Sequence, residues 1–502
     1  MTKNGTFPLD MEGILPLALT EDQITFWKKL QPVNRPAATD TYKRTMAGSG
    51  DIFNQDASYS LALRRPLKEE GANGRLVMAG LERLLYPWFG TEVTEREVRK
   101  AEGKFCYASE INKFPTDMWN AVLENGGRFN LDIWGLPGGQ TFLVKQYDGE
   151  AAPRHVPCLS VEGPGGLVSH IEPHVLMGYA PIIAATKARL MKEAAGESFA
   201  EFGYRGARND LDHAVLMMAM KVGGGFKYTS NDEVVYLFDN EFTSIGTVGH
   251  EYIMSYQRQG MTLEEAQEKA FRDFIEHNDR AALLPDLINT IDSGLPLILK
   301  LIKEYEGSGK VIMPRFDSGD IKEQVLAWKK MTLEAGIKNV RMIVEDGFTP
   351  EKTREVKEWY AAQGYDPNEI IVGAGGYFQN GNTRDAVSAA YKRTSTNHGQ
   401  GNEGSIKFSD DAGKFSLPGP IRVYARGSEI IVAQAHEHID GVPLFVPLLQ
   451  NGRIMYKENL ARQTARAEKT WNAYTDIVYS EGIHDTIAIR TAERIAISEQ
   501  YK

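Results

Sequence analysis

The sequence predicts an α/β protein with parallel strands, joined to a β-rich part. Three observations predict it. Between residues 293 and 376 helical and strand patterns alternate, and strand starts recur about every thirty residues. Three consecutive strands in that stretch end in polar or glycine-rich segments. Before about Pro157 and beyond Lys392 the rhythm gives way to short apolar runs and turns. Parallel strands with helical crossovers form an α/β barrel or a doubly wound sheet, and in both the chemistry collects at the strand C-terminal ends.

Taken in order, residues 1–157 read as a mixed α+β domain. The runs Leu131–Leu136 and Gln140–Lys145 are expected strands, with turns at Gly126-Gly127 and Gly138-Gly139. Residues 158–392 read as the α/β domain with the active site, an α/β barrel or a doubly wound sheet. Cys158–Val161 is an expected strand, and a long helix is expected over Pro173–Ala195 and another over Asn209–Lys221. Thr262-Leu263-Glu264-Glu265 has the form of a capping box, opening a helix to about His277. Helices over Pro296–Glu306, Ile321–Ala335 and Pro350–Gln363 alternate with strands over Val311–Phe316, Val340–Val344 and Ile370–Gly373. Residues 393–451 read as strands returning to the β-rich domain, at Ile406–Phe408, Ile421–Tyr424 and Ile430–Ala433. Residues 452–502 read as a mostly helical extension.

Composition narrows the function classes. With 42% hydrophobic and 25% charged residues, the 502-residue chain has material for a sizeable core. A net charge of -10 disfavours general nucleic-acid binding. Two cysteines are too few for a disulfide framework or a cysteine-rich zinc site. No apolar run approaches the roughly 20 residues of a membrane helix, and the first residues do not read as a signal peptide. The expected compartment is the cytoplasm, with no membrane or nucleic-acid partner.

Several segments carry candidate chemistry. Arg315-Phe316-Asp317-Ser318-Gly319-Asp320 offers a guanidinium, carboxylates and a hydroxyl at a strand end. The planar Arg fork suits a carboxylate or phosphate. The bland alternative is a helix N-cap at Asp317 or Ser318. Glu345-Asp346-Gly347 and Gly373-Ala374-Gly375-Gly376 close the next two strands. The glycines can present backbone N–H groups to a phosphate, but they fit neither the dinucleotide fingerprint nor the GxxxxGK[ST] loop. His250 follows Gly246-Thr247-Val248-Gly249 at an expected strand end. A lone histidine is more often structural, yet Glu251 beside it could orient an imidazole nucleophile. His170, His174 and His213 lack zinc spacing, so no metal cage is expected. Phe202-Gly203-Tyr204-Arg205-Gly206 sets aromatic faces beside a guanidinium, which suits a flat heterocycle and a phosphate or a plain capping loop.

Together these segments resemble the nicotinate and nicotinamide phosphoribosyltransferases. The likeness runs in order from Thr39-Asp40-Thr41-Tyr42-Lys43, through Val161–Pro164, Phe202–Gly206, Thr229-Ser230-Asn231, Gly246–Glu251, Arg315–Asp320 and Asp346-Gly347, to Gly373–Gly376 and Thr383-Arg384-Asp385. The resemblance implies the irregular α/β barrel of type II phosphoribosyltransferases, a β-rich second domain and a homodimer with active sites between subunits. It implies transfer of the 5-phosphoribosyl group of 5-phosphoribosyl 1-pyrophosphate (PRPP) to a pyridine, in NAD biosynthesis, with ATP as co-substrate and Mg²⁺ on the pyrophosphate. It places Tyr42, from the partner subunit, and Phe202 on the two faces of the pyridine. Arg205 takes phosphate or pyrophosphate, and Thr247 and Arg315 the pyridine substituent or nearby phosphate. Asp317 and Asp346 take ribose hydroxyls, and Gly375, Gly376 and Arg384 the 5′-phosphate. His250 is the histidine that ATP phosphorylates.

The choice between acid and amide turns on Ser230. Amide-using enzymes carry an Asp there, which would repel a nicotinate carboxylate by about 4 kcal/mol at 4 Å and an effective dielectric near 20. Ser can instead donate to that carboxylate. The expectation is therefore nicotinate. Phe202–Gly206 and Tyr42-Lys43 look closer to the nicotinamide enzymes, and the spacing from Gly373 to Arg384 departs from the nicotinate pattern. A nicotinamide phosphoribosyltransferase is the nearest alternative. A non-catalytic phosphosugar-binding barrel and an NAD-dependent oxidoreductase are the others, the last without a dinucleotide fingerprint.

Overall fold

A strand of two to four residues cannot satisfy its own backbone polar groups, so the short strands of this chain fold only as members of sheets. The computed structural model describes residues 20–106, 114–148, 150, 154–238, 241–397, 402–407 and 416–500. The chain forms two compact units. One comprises Met1–Lys187, Ala214–Gly223 and Gly381–Lys502, and the other Ala188–His213 and Gly224–Asn380.

The first unit is built on an antiparallel sheet. Asp56–Leu63 pairs with Ala389–Asn397 on one side and Leu159–Pro164 on the other, so strands far apart in sequence share one layer. The run Cys158–Val161 thus contributes to this sheet. Two expectations change here. The strand near residue 404 is Asn402–Gly404; Ile406 and Lys407 are not in a strand, and Phe408 lies outside the described residues. The segment after residue 452 holds helices Leu460–Thr470 and Glu481–Glu499, but also a strand, Asp476–Tyr479, parallel to Glu429–Gln434.

The single helix expected over Pro173–Ala195 is two, Glu172–Leu176 and Tyr179–Ala195, parted at Met177-Gly178. Pro181, which has no N–H to donate, falls in the first turn of the second helix, where no intrahelical acceptor is required.

Among its described residues the second unit holds seven strands, numbered β1 to β7 in chain order within it. They are Phe199–Glu201, Tyr228–Thr229, Thr243–Ser244, Arg280–Leu283, Val311–Phe316, Met342–Val344 and Ile370–Ala374. Every pairing is parallel, and the spatial order is β4-β5-β6-β7-β1-β2-β3. That is chain order rotated. The sheet therefore curls until β7 pairs with β1, and it stays open between β3 and β4. At that gap the Val248 N–H donates to the Ala282 carbonyl at 3.2 Å. Ala282, Met313 and Ile343 form an apolar cluster inside the curl, with Ile245 and Ile371 packed on it.

The crossover helices begin where the sequence places caps. Thr262 and Glu265 form the reciprocal capping box of Leu263–His277. Asp320 caps Ile321–Glu334, and Thr349 caps Pro350–Ala362, whose first residue needs no N–H.

Candidate active site

The strand C-terminal ends of the second unit carry most of the residues expected to act. After β1 come Phe202 and the single 3₁₀ turn Tyr204–Gly206, with Arg205 exposed. After β2 comes Ser230, exposed, its N–H bonded to the Glu201 carbonyl at 3.0 Å. A buried network fixes both turns. Glu201 accepts from the Gly203 N–H at 2.5 Å and from the Thr229 hydroxyl at 3.2 Å. His213 stands between Glu201, at 3.3 Å, and the Asn231 side-chain amide, at 2.8 Å. Glu201 and His213 are fully buried, and each polar group meets another, as burial demands.

Close backbone approach explains two glycines. A Cβ at Gly373 would lie 2.6 Å from the Glu345 Cγ and 2.8 Å from the Phe202 ring; at Gly375 it would lie 2.9 Å from the Phe202 carbonyl. These glycines let the Phe202 ring and turn lie against the end of β7. Gly376 opens the four-residue helix that follows.

Arg315 is the charged centre of the rim. It lies within β5, with its side chain largely buried. One terminal nitrogen donates to the Thr247 hydroxyl and to the Val248 carbonyl at 3.3 Å. The guanidinium faces two carboxylates, Asp317 at 3.5 Å and Glu345 at 3.1 Å. Burial pushes the Glu345 carboxyl up to about 7; the Arg315 charge pulls against that rise and the Asp317 charge adds to it. Asp346, the next residue, is exposed with φ +73°, a left-handed conformation that costs energy outside glycine.

His250 corrects an expectation. It does not end a strand: β3 stops at Ser244, and His250 is the first residue of the short helix His250–Met254. The carboxylate that meets the imidazole is not Glu251 but Asp286, beyond β4, with Oδ1 2.8 Å from Nε2. The Asp286 Oδ2 accepts from the Ser318 hydroxyl at 2.7 Å. Neighbours in sequence on a helix point about 100° apart, so Glu251 projects to solvent, where it is exposed. Asp286, Glu345 and the Glu201–His213–Asn231 network were not assigned roles from sequence. The first could have been found from the apolar run Ala281–Leu284 that precedes it.

Tyr42 and Arg384 belong to the first unit. Tyr42 is half exposed on helix Thr41–Ala47, and its neighbour Lys43 is buried in an ion pair with Glu172. Burial lowers the Lys43 ammonium, but the Glu172 hydrogen bond and charge outweigh it and hold it above its usual range. Arg384 opens helix Arg384–Val387 and donates to the Ala389 carbonyl at 3.0 Å. His170 is buried and His174 half-buried against Trp88, and desolvation lowers them to about 4 and about 3, so both are neutral packing residues. A cavity of about 460 Å³ in the first unit, between Tyr86, Phe89 and Phe129, contains none of the expected site residues.

A family model described as the nicotinate phosphoribosyltransferase (NAPRTase) family matches residues 198–402, the stretch that carries the strand-end groups. Residues 198–402 carry the domain of this family. Nicotinate phosphoribosyltransferase of Bacillus subtilis (strain 168) is 25% identical over 408 residues, 80% of this chain and 74% of that protein. Nicotinate phosphoribosyltransferase pncB2 of Mycobacterium tuberculosis (strain ATCC 25618 / H37Rv) is 23% identical over 435 residues, 83% and 82% of the two chains. The fold is shared with human nicotinic acid phosphoribosyltransferase, at a TM-score of 0.66 and 17% identity over 90% of this chain and all of that one. It is also shared with nicotinate-nucleotide pyrophosphorylase of Pyrococcus furiosus, at a TM-score of 0.58 and 17% identity over 91% and 98%. The matched family is one of phosphoribosyltransferases, and the shared fold is a curled parallel α/β sheet with a β-rich second domain.

Among the described residues no three His, Cys, Asp or Glu side chains gather as metal ligands. A Mg²⁺ ion would have to be held mainly by substrate phosphates, which is a common way for this cation to bind. No helix of the described residues is long and apolar enough to cross a membrane.

Proposed function

We propose that the chain makes nicotinate mononucleotide and pyrophosphate from nicotinate and PRPP, coupled to ATP hydrolysis. The product is a pyridine nucleotide on the way to NAD. The observation that carries this reading is Arg315, held by Thr247, Val248, Asp317 and Glu345 at the strand ends, with Glu345 against the Phe202 platform. A flat anionic heterocycle needs an aromatic face and a planar cation, and this rim supplies both.

The remaining roles extend this reading. Asp317 and Asp346 stand at adjacent strand ends, where they can accept from the ribose hydroxyls. The Gly375-Gly376 turn and Arg205 would take phosphate oxygens. Positive charge that develops at the anomeric carbon as pyrophosphate leaves is balanced by these carboxylates, and the two reactants are held in line. Mg²⁺, carried on the donor, supplies charge neutralisation for the leaving pyrophosphate. Tyr42, half exposed, is offered to the site of a second subunit in a homodimer, and the protein works in the cytoplasm.

Chromatographic analysis of the products from PRPP with either pyridine tests the reading. Mononucleotide is expected from nicotinate. Product from nicotinamide and none from nicotinate overturns it in favour of the amide enzyme.

A further inference from the structure

Glu345 holds Arg315 at the middle of the rim, but the proposed function gives it no contact with substrate. Its backbone N–H is fixed to the Phe316 carbonyl at 2.9 Å, and its side chain lies between β5 and β7. One face meets Arg315, and the Cγ closes on Gly373 beside the Phe202 ring. The Arg315 Nε and the Glu345 Oε1 are 3.1 Å apart, but neither atom makes an aligned hydrogen bond, although both are buried. Buried polar atoms are usually paired, so this is a contact open to a better partner.

We infer that Glu345 determines specificity for the pyridine acid: it shares Arg315 with the substrate carboxylate, and it does so by taking up one proton from solvent and presenting the resulting O–H to that carboxylate. The inference rests on the proposed function, in which Arg315 receives the pyridine substituent.

The charge arrangement requires the proton. Arg315 already faces Asp317 and Glu345, two carboxylates for one guanidinium. A third anion at the same fork is disfavoured unless one of the three is neutral. Asp317 is the more exposed of the two; Glu345 is the buried one, and burial raises its carboxyl to about 7. The other neighbours do not alter this balance. Phe202 and Gly373 carry no charge. Asp346 is exposed, and Lys352, from helix Pro350–Ala362, donates to the Asp346 carbonyl at 2.6 Å. A neutral amide substrate brings no third anion and needs no proton.

Two measurements on the full-length protein test this. With Glu345 titrating near 7, the wild-type KM for nicotinate should rise by about tenfold between pH 6 and pH 8, because the protonated form is the one that binds. In Glu345→Gln, whose side-chain amide can donate at any pH, that rise should vanish. Calorimetry in buffers of different ionisation enthalpy should count about one proton taken up per nicotinate bound at pH 8 by the wild type. It should count none for nicotinamide and none for the variant. Should Glu345→Gln fail to fold, the wild-type proton count decides alone. Nicotinate mononucleotide formed with no proton uptake, or an unchanged pH dependence in a folded Glu345→Gln, overturns the role of Glu345. Absence of nicotinate mononucleotide at every pH overturns the functional reading itself.

Discussion

Asp286 holds the His250 imidazole by Nε2, with 2.8 Å between nitrogen and carboxylate, while its second oxygen is engaged by Ser318. This contact selects a tautomer. Nε2–H donating to the carboxylate leaves the lone pair on Nδ1, and the anion favours the positive charge that forms when the ring attacks. If ATP phosphorylates His250, the phosphoryl group should reside on Nδ1. Labelling with γ-labelled ATP, an alkaline quench and NMR of the phosphopeptide distinguish the two ring nitrogens. Asp286→Asn should lower the ATP-stimulated rate by roughly 10²-fold, the scale of losing an orienting acid–base partner. His250→Ala should abolish that stimulation while slow ATP-independent transfer persists. Label on another residue, or full stimulation in His250→Ala, refutes the assignment.

Ser230 is exposed at the end of β2, on the turn fixed by Asn231 and Glu201. Replacing it with Asp adds a carboxylate without disturbing the buried network below. Ser230→Asp should weaken nicotinate use by up to roughly 10³-fold, with nicotinamide affected less. The ratio of kcat/KM for the two pyridines reads the effect directly. An unchanged ratio means that Ser230 does not face the pyridine substituent.

What could be read from sequence depended on element length. The strand Val311–Phe316 was legible to the residue because a glycine-rich loop precedes it and Asp317-Ser318-Gly319 closes it. The Thr262 capping box was legible because its signal is local. Tyr228–Thr229 and Thr243–Ser244 were not, since two residues are too few to show a period. That shortness placed His250 at a strand end where a loop and a helix start stand. It also hid the strand before Asp286. Glu251 was chosen as partner by adjacency, although i and i+1 diverge on a helix. Glu345 was visible as a strand-end charge, but its burial depends on Phe202 and Gly373, which only the curled sheet brings to it.

In the first unit, Glu82 is fully buried and accepts from the Gln463 side-chain amide at 2.6 Å, near the Glu458–Arg466 pair. Burial pushes its carboxyl up to about 7, and the Glu458 charge adds to the rise. The folded protein therefore binds a proton that the unfolded chain releases between its ordinary carboxyl range and about 7. Stability from this site is present at low pH and is lost as pH rises through about 7. Glu82→Gln removes the titration. Its melting temperature relative to wild type should rise from pH 5 to pH 8, by the equivalent of on the order of 3 kcal/mol. A difference that does not change with pH shows that Glu82 does not bind this proton.

Tyr42 and Arg315 test the shared site. Tyr42 is half exposed at the start of its helix, held by the buried Lys43–Glu172 pair one residue on. Arg315 is buried in a different unit of the chain. If Tyr42 completes the site of a partner subunit, Tyr42→Ala and Arg315→Ala should each lower the activity of the homodimer. Arg315→Ala removes the planar cation and should cost the pyridine acid about 30-fold or more, at about 2–5 kcal/mol for a buried charge partner. Tyr42→Ala removes a stacking face worth about 1–3 kcal/mol. A mixed dimer then holds one site that lacks both groups and one that lacks neither. At equal proportions half the dimers are mixed, and each retains one intact site, so activity should recover to about a quarter of wild type. Recovery should track subunit exchange, measured by fluorescence transfer between labelled subunits. Confirmed exchange with no recovered activity argues that Tyr42 serves its own subunit or lies outside the site.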